Sequence, residues 1–212
     1  MQITILGAGN MSRGIATRLL AGSHEVHILD RDAGHAATLV DELRGVSEGR
    51  VSPGTLGDDL VGEIVILAVP YVAASRIVKE YYDRLADKIL VDITNPINAT
   101  YDGLSVAADT SAGQEIAKAT PESTRVVKAF NTTFAGTLLS GEVAGHPLDV
   151  LLAGDDADAK ATIAKLIEMG GMRPLDVGAL VRARYLEGMG LVHIMLQFSM
   201  GTGFGSAVKI LS

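Results

Sequence analysis

Two glycines near the start of the chain are the first residues whose spacing predicts chemistry. Gly7 and Gly9 follow Gln2-Ile3-Thr4-Ile5-Leu6, a short segment with the pattern of a buried strand. Gly7 permits a tight turn, and Gly9, which has no Cβ, lets the main chain approach a pyrophosphate closely. The free N–H groups of a helical turn near Asn10 and Met11 would then point at that anion.

An acidic residue completes this pattern at the end of the next predicted strand. Residues 10–21 have apolar side chains at helical spacing, and residues 25–29 form a second apolar segment before Asp30. The carboxylate of Asp30 is placed to accept hydrogen bonds from an adenosine ribose. Ser12 stands where the usual fingerprint has its third glycine, and it is small enough for close helix–strand packing. Together these features predict a dinucleotide-binding βαβ unit.

The rest of the chain alternates predicted strands and helices. Strand-like segments occur at residues 63–69, 88–93, 125–130, 149–153 and 173–176, and residues 45–53 are rich in turn formers. This alternation favours an α/β fold with helices on both faces of a parallel sheet. We therefore predict a Rossmann-type, doubly wound parallel sheet with a small C-terminal helical extension. Residues 1–130 would form the dinucleotide-binding domain, and residues 131–212 would continue the same compact body.

Polar or turn residues follow four of the predicted strands. They are Asp30 and Arg31, Pro70 and Tyr71, Thr94 and Asn95, and Asn131 and Thr132. The carboxyl ends of parallel strands share one edge of a sheet, and Rossmann-type sheets bind ligands there. We therefore predict one crevice at this edge, in which Pro70, Asn95 and Asn131 would surround the bound ring of a nicotinamide.

Composition excludes several classes of function. The net charge is −7 and the pI is about 5.2, which argues against a nucleic-acid or anionic-membrane partner. The chain has no cysteine, so disulfide and thiolate chemistry are excluded. His24 and His27 lack zinc-protease spacing and are expected on the surface, so no metal site is predicted. No signal peptide or membrane span is visible, and we expect a cytoplasmic protein.

Several longer segments resemble the deazaflavin (coenzyme F420)-dependent NADP oxidoreductases. They are Gly7-Ala8-Gly9-Asn10-Met11, Ala68-Val69-Pro70, Val126-Val127-Lys128-Ala129-Phe130-Asn131-Thr132, and residues 152–156, 173–178 and 203–209. The resemblance covers nearly the whole chain. The oxidoreductase domain of six-transmembrane ferric reductases is similar too.

The resemblance implies hydride transfer between a nicotinamide and a deazaflavin co-substrate. It implies that Asn10 and Met11 offer backbone donors to the pyrophosphate and that Val69 and Pro70 line the nicotinamide. Residues 129–131, from Ala129 to Asn131, would lie near the carboxamide.

Two positions depart from the family pattern. The family usually has a Ser-Arg pair that binds the 2′-phosphate of NADP, whereas this chain has Asp30 and Arg31. The position of Asn131 is His in a relative. From the residues alone, Asp30 favours NAD, while Arg31 is still able to bind a 2′-phosphate from beside it, so both NAD and NADP stay open.

The chain shows no obvious acid–base pair, and the catalytic residues are not identified. Hydride transfer between two bound rings needs mainly alignment and exclusion of water, so we predict an oxidoreductase with a small-molecule redox acceptor. Thr94, Asn131 and Thr132 are the predicted substrate residues. The alternatives are a reductase of a small carbonyl, imine, quinone or ferric chelate, and a non-catalytic dinucleotide-binding sensor.

Three further expectations concern single side chains and the last helix. His193 and Gln197 share a helix face and are expected to form a partly buried, hydrogen-bonded pair. Lys128, in a predicted strand, is expected to point to solvent. The last predicted helix, residues 179–200, is apolar nearly all round, so we predict a homodimer that covers it.

Overall fold

Strands and helices alternate along the chain in the computed structural model, which describes residues 1–45 and 50–211. Their bounds are β1 Gln2–Leu6, α1 Asn10–Ala21, β2 Glu25–Asp30, α2 Ala33–Arg44, β3 Val51–Thr55, β4 Ile64–Leu67, α3 Tyr71–Glu80, β5 Ile89–Asp92, α4 Ala112–Ala119, β6 Arg125–Lys128, α5 Ala135–Ser140, β7 Glu142–Val143, β8 His146–Pro147, β9 Asp149–Gly154, α6 Ala157–Met169, β10 Arg173–Asp176 and α7 Ala183–Met200. Short 3₁₀ helices occupy Tyr82–Leu85 and Leu180–Arg182. Of the predicted turn-rich segment, residues 46–49 lie outside the described part.

Eight strands form one sheet in the order β10-β9-β6-β5-β4-β1-β2-β3. The strands β1 to β6 are parallel, as predicted for a doubly wound sheet. The prediction of a parallel sheet fails at one pair of strands, because β9 runs antiparallel to β6. Strand β10 pairs parallel to β9. The connection through α5 and the β7–β8 hairpin needs no crossover, whereas a parallel pair requires one. Both predicted parts of the chain thus contribute to one sheet, and the boundary at residue 130 stays a prediction.

Helices cover both faces of the sheet, which explains why its central strands are apolar throughout. In β4, Ile64 and Ile66 pack towards α1, α2, α5 and α6, whereas Val65 and Leu67 pack towards α3, α4 and the start of α7. All four side chains are at most 2% exposed. The Rossmann-type α/β fold predicted from the sequence is confirmed.

Helix α7 has its polarity reversed relative to an ordinary surface helix. Its buried face includes Glu187, His193 and Gln197, and His193 contacts the carbonyl oxygen of Thr132 in the loop after β6. Its large exposed side chains are apolar: Tyr185, Val192, Met195, Leu196, Phe198 and Met200. The apolar character seen in the sequence thus lies on the outside of the chain. Within the described ranges, each helix is too short or too polar to cross a membrane, and the cytoplasmic location stays a prediction.

Candidate functional site

The two glycines of the turn between β1 and α1 differ in role: Gly7 is required by the fold, whereas Gly9 leaves space for a ligand. Gly7 has φ +109°, and a Cβ there would lie 2.4 Å from the carbonyl oxygen of Ala68, so the fold itself requires glycine. A Cβ at Gly9 would meet nothing within 4 Å. No side chain in the described part of the molecule caps the first turn of α1, where Asn10 is exposed and Met11 is half-buried. Open space therefore lies above free N–H groups of a helix N-terminus.

A cavity of ≈ 420 Å³ lies beside this turn, at the carboxyl ends of β1, β2 and β4. It is lined by six of the predicted cofactor residues: Gly7, Gly9, Asp30, Arg31, Val69 and Pro70. A larger cavity of ≈ 600 Å³ borders Gln2, Glu25 and Val51, at the opposite edge of the sheet. We take the smaller cavity as the candidate site because Rossmann-type sheets bind ligands at the carboxyl ends of their strands.

The carboxylate of Asp30 points into the glycine turn. It accepts hydrogen bonds from the backbone N–H of Ala8 at 2.8 Å and of Asp32 at 3.0 Å. Arg31 is exposed at the rim of the cavity, and two residues that the sequence analysis did not identify, His35 and Arg76, line the same cavity. The end of the predicted site that would bind adenosine thus contains one carboxylate that is already hydrogen-bonded, Asp30. It also contains three side chains able to bind an anion, Arg31, His35 and Arg76.

The loops after β5 and β6 interlock through two asparagines. The side chain of Asn131 donates to Asn95 Oδ1 at 2.9 Å, and the side chain of Asn95 donates to the carbonyl oxygen of Asn131 at 2.8 Å. A Cβ at Gly190 would lie 2.8 Å from Asn95 Oδ1, so α7 passes this pair closely because Gly190 has no side chain. Neither residue is among those that line the cavity beside the glycine turn, and each is already engaged by the protein.

A left-handed residue shapes the loop after β6. Phe130 has φ +62° and is 1% exposed, and Thr133 donates to its carbonyl oxygen from both N–H and Oγ1. Such a conformation is uncommon for a bulky residue and persists where the surroundings hold it. It places Asn131 and Thr132 in a tight turn. Ala129, predicted near a carboxamide, is fully buried, and its N–H donates to the carbonyl oxygen of Asp92 at 3.1 Å.

Three polar atoms at these strand ends are buried without a hydrogen-bond partner among the described residues. They are Thr94 Oγ1, Asn131 Oδ1 and Thr132 Oγ1. Buried polar atoms in proteins are usually paired, so each such atom calls for an explanation. Two hydroxyls and an amide oxygen offer both donors and acceptors to a ligand group that carries both kinds.

The prediction that Lys128 points to solvent is wrong. Its side chain is fully buried, with Nζ 2.8 Å from Asp92 Oδ2 and 2.8 Å from Glu187 Oε1. Asp92 and Lys128 are register partners at the ends of β5 and β6, which places their side chains on the same face. In the sequence, this buried cluster is indicated by a charged residue at the end of each of two apolar strands and by a single Glu in an apolar helix.

Two further polar side chains, His193 and Gln197, are buried on α7. His193 stacks on Phe134, with centroids 4.2 Å apart, and its ring nitrogens contact the carbonyl oxygen of Thr132 and Ser206 Oγ. Burial lowers the pKa of His193, although the Thr132 carbonyl opposes this. Gln197 donates to the same Ser206 and to the carbonyl oxygen of His193, which confirms the predicted hydrogen-bonded pair, although both residues are buried rather than partly buried.

Tyr71 donates to Glu115 Oε2 at 2.5 Å. Burial and this bond raise the pKa of Tyr71.

The two histidines of the strand β2 region differ in their surroundings. His24 is 2% exposed, so its expected surface position is wrong, whereas His27 is half-buried and contacts Ser52 Oγ at 2.8 Å. His24 packs at the end of α1, where its N–H donates to the carbonyl oxygen of Leu19. In the described ranges no three metal-ligating side chains cluster.

The sheet order, the glycine turn and the cavity at the strand ends are those of a Rossmann-type α/β protein. The sequence profile of the family described as "NADP oxidoreductase coenzyme F420-dependent" matches residues 2–96. The F420-dependent NADP reductase of Methanothermobacter thermautotrophicus is 33% identical over 200 residues, which cover 88% of this chain and 85% of that protein. This chain belongs to that family of oxidoreductases.

Two other relatives show how far the similarity extends. A protein of Arthrobacter sp. FB24, provisionally described as an F420-dependent NADP-reductase, has a crystal structure that matches all of both chains with a TM-score of 0.86 and 29% identity. The rat metalloreductase STEAP3 is 32% identical over 197 residues, which cover 90% of this chain but 36% of STEAP3. The similarity to the reductases therefore extends over the whole length of the fold.

Proposed function

We propose that this protein transfers a hydride between NADP(H) and the ring of a deazaflavin such as coenzyme F420. The observation that carries the proposal is the set of unpartnered buried atoms Thr94 Oγ1, Asn131 Oδ1 and Thr132 Oγ1. A carboxamide has one acceptor oxygen and two N–H donors, so these hydroxyls and this amide oxygen fit it. The names of the family members that match the chain supply NADP and coenzyme F420 as reactants.

The choice of NADP over NAD rests on the adenosine end of the cavity. The sequence favoured NAD because a free acid at Asp30 would bind the ribose hydroxyls. In the structure Asp30 accepts two backbone N–H bonds, while Arg31, His35 and Arg76 line the cavity. Guanidinium groups bind phosphate oxygens through charge-assisted bonds. We therefore expect tighter binding of NADPH than of NADH.

The residues of this chain would act by binding and alignment. When bound, the reduced nicotinamide supplies two electrons and a proton as hydride and becomes cationic, and the acceptor ring also takes one proton from water. The interlocked loops of Asn95 and Asn131 hold the polar atoms in fixed positions. The close approach of α7 at Gly190 would limit access of water to the nicotinamide side.

A single-turnover experiment with stereospecifically deuterated NADPH tests this function. Deuterium in the reduced deazaflavin supports it. A flavin, a quinone, a ferric chelate, a small carbonyl and a cyclic imine are tested in parallel, and transfer only to one of these would favour the corresponding alternative. Stoichiometric NADPH binding without transfer to any acceptor would leave the dinucleotide-binding sensor.

The predicted homodimer has a candidate interface on α7. We propose that a second copy covers its exposed apolar side chains, because the polar residues of this helix already lie inside the chain. Exposed apolar patches of this kind mark interaction surfaces. Light scattering at micromolar concentration should give twice the chain mass of 22.1 kDa, and the monomer mass would reject the dimer.

A further inference from the structure

Three fully buried charged side chains meet beneath the loop that follows β5. Asp92, Lys128 and Glu187 each have 0% exposure, and Lys128 Nζ lies 2.8 Å from a carboxylate oxygen of each of the other two. Desolvation of such groups offsets most of their mutual attraction, and apolar side chains of similar volume are often as stabilising. Stability alone is therefore a weak reason for this cluster.

The cluster holds the main chain of Thr94 on both sides. Asp92 Oδ1 accepts from the N–H of Thr94 at 2.8 Å, and Lys128 Nζ donates to the carbonyl oxygen of Thr94. Glu187 accepts from the N–H groups of Ala112 at 3.0 Å and Gly113 at 3.1 Å, in the first turn of α4. The cluster thus joins β5, β6, α4 and α7 at one point.

Two of the three unpartnered polar atoms belong to residues that are tied to this point. One of them, Thr94 Oγ1, belongs to the residue whose peptide groups are held. Another, Asn131 Oδ1, belongs to a side chain that donates through Nδ2 to the carbonyl oxygen of Leu186, the residue before Glu187. Movement of α7 relative to β6 would therefore change the spacing between these atoms.

We propose that Lys128 is a positioning residue for the carboxamide end of the nicotinamide. Lys128 holds Thr94 directly, and it holds Asn131 through Glu187 and α7. The free polar atoms of Thr94 and Asn131 therefore keep the spacing that a carboxamide requires. This inference rests on the proposed function, because it assumes that a nicotinamide binds at these strand ends. Small misplacements of binding groups are known to slow reactions by large factors.

The test compares Lys128→Met with the double variant Lys128→Met/Asp92→Asn. The single variant leaves two buried carboxylates without their cation, whereas the double variant removes one charge of each sign and keeps the cluster at −1. Both variants lose the bond to the Thr94 carbonyl. Thermal unfolding identifies the folded variants, and Arg173→Met, which breaks an ion pair with Asp149 at β9 and β10, is the control for loss of a cation elsewhere.

The readout is the ratio of the dissociation constants of NADPH and its 3-acetylpyridine analogue, which lacks the carboxamide N–H donors. We expect the wild type and Arg173→Met to prefer NADPH by about tenfold, the size of one good hydrogen bond. In both Lys128 variants this preference should fall to about twofold or less, with single-turnover transfer slowed about tenfold or more.

Two results in the variants would overturn the positioning role. One is a wild-type ratio in both folded variants, and the other is restoration of the ratio by Asp92→Asn, which would make uncompensated buried charge the cause. If the wild type transfers no hydride to any acceptor, the proposed function fails, and the binding ratio still decides the role of Lys128. A wild type that binds both nucleotides equally would reject the carboxamide site itself and Lys128 with it.

Discussion

The carboxylate of Asp30 accepts a hydrogen bond from the backbone N–H of Ala8 at 2.8 Å. This bond ties the end of β2 to the glycine turn after β1, so the acid stabilises the loop on which a pyrophosphate would rest. The other oxygen accepts from the N–H of Asp32. The group that in the sequence favoured NAD is therefore used by the fold, and we propose that the choice between NADP and NAD depends on Arg31 and Arg76, which line the cavity.

Replacement of Arg31 by alanine should weaken NADPH binding selectively. Loss of one charge-assisted bond to the 2′-phosphate corresponds to about tenfold or more in the dissociation constant, whereas NADH affinity should change by less than about twofold. Calorimetry with both nucleotides measures this. Arg50→Ala is the matched control, because Arg50 is exposed and pairs with Glu25 at the opposite edge of the sheet. Equal losses for NADPH and NADH would contradict a 2′-phosphate role.

Gly9→Val should lower nucleotide affinity without unfolding the protein. Space at Gly9 is open and its φ of −85° suits any residue, so the new side chain would occupy only the volume predicted for the pyrophosphate. We expect at least a tenfold loss, about 1.4 kcal/mol. Gly136→Val is the control, since a Cβ there also meets nothing within 4 Å. Unchanged affinity in folded Gly9→Val would place the pyrophosphate elsewhere.

The fold was predictable because each of its signals is local. The alternation of apolar segments and the turn at Gly7 specify strands, helices and a binding edge within a few residues. The direction of β9 was not predictable, because it depends on how α5 and the β7–β8 hairpin return the chain to the sheet. Nothing in the apolar segment of β9 distinguishes a parallel from an antiparallel neighbour.

The candidate site was predictable only where it uses the main chain. The glycine turn and the strand ends follow from sequence order, so Gly9 and Pro70 were predicted beside the cavity that they line, whereas the role of Asn131 stays a prediction. Lys128 and Glu187 are 59 residues apart in sequence, and their contact depends on where α7 packs. Arg76 similarly reaches the cavity from α3, and no local pattern marks it.

The free energy of unfolding should depend on pH because of Asp149. Burial alone would raise the pKa of Asp149, but hydrogen bonds from Arg173, the N–H of Ile210 and Lys209 lower it to about 2. Because this folded value lies below the usual 3.8, the stabilisation is complete above pH about 4 and is lost as pH falls through about 2. It corresponds to about 2 kcal/mol.

Asp149→Asn should therefore lower the free energy of unfolding near pH 6 by about 2 kcal/mol, and by much less near pH 2. Denaturant titrations across this range measure the difference. Asp109→Asn, at an exposed carboxylate, is the control and should change little at any pH. A loss for Asp149→Asn that stays constant from pH 6 to pH 2 would show that packing, not charge, is what the substitution removes.

Val192→Lys should convert the proposed dimer into a monomer. The side chain of Val192 is 57% exposed in the single chain, so lysine there costs the isolated fold little, but a second copy would have to bury the charge. Light scattering measures the mass, and circular dichroism confirms folding. Leu139→Lys is the control, because Leu139 is 44% exposed on α5, where its carbonyl oxygen accepts from Arg18 of α1. A dimer that persists in Val192→Lys would contradict this interface.

Thr132 and Thr133 form a matched pair. Replacement of Thr133 should lower stability but not activity, and replacement of Thr132 should lower activity but not stability. Thr132 Oγ1 is buried without a partner in the described ranges, whereas Thr133 Oγ1 donates to the carbonyl oxygen of Phe130 at 2.7 Å. Valine has the shape of threonine, so Thr133→Val loses one hydrogen bond and about 1 kcal/mol, and Thr132→Val should lose none.

Hydride transfer should respond in the reverse order. If the hydroxyl of Thr132 orients the nicotinamide, Thr132→Val loses that bond, worth about 1.4 kcal/mol, and slows single-turnover transfer about tenfold. Thr133→Val should keep the rate within about twofold, because its hydroxyl already has a partner inside the protein. Stopped-flow measurement of NADPH oxidation by a deazaflavin gives both rates. A wild-type rate together with a wild-type NADPH dissociation constant in folded Thr132→Val would show that its hydroxyl does not bind the ring, because a group that contacts the reacting nucleotide cannot be removed without a change in rate or affinity.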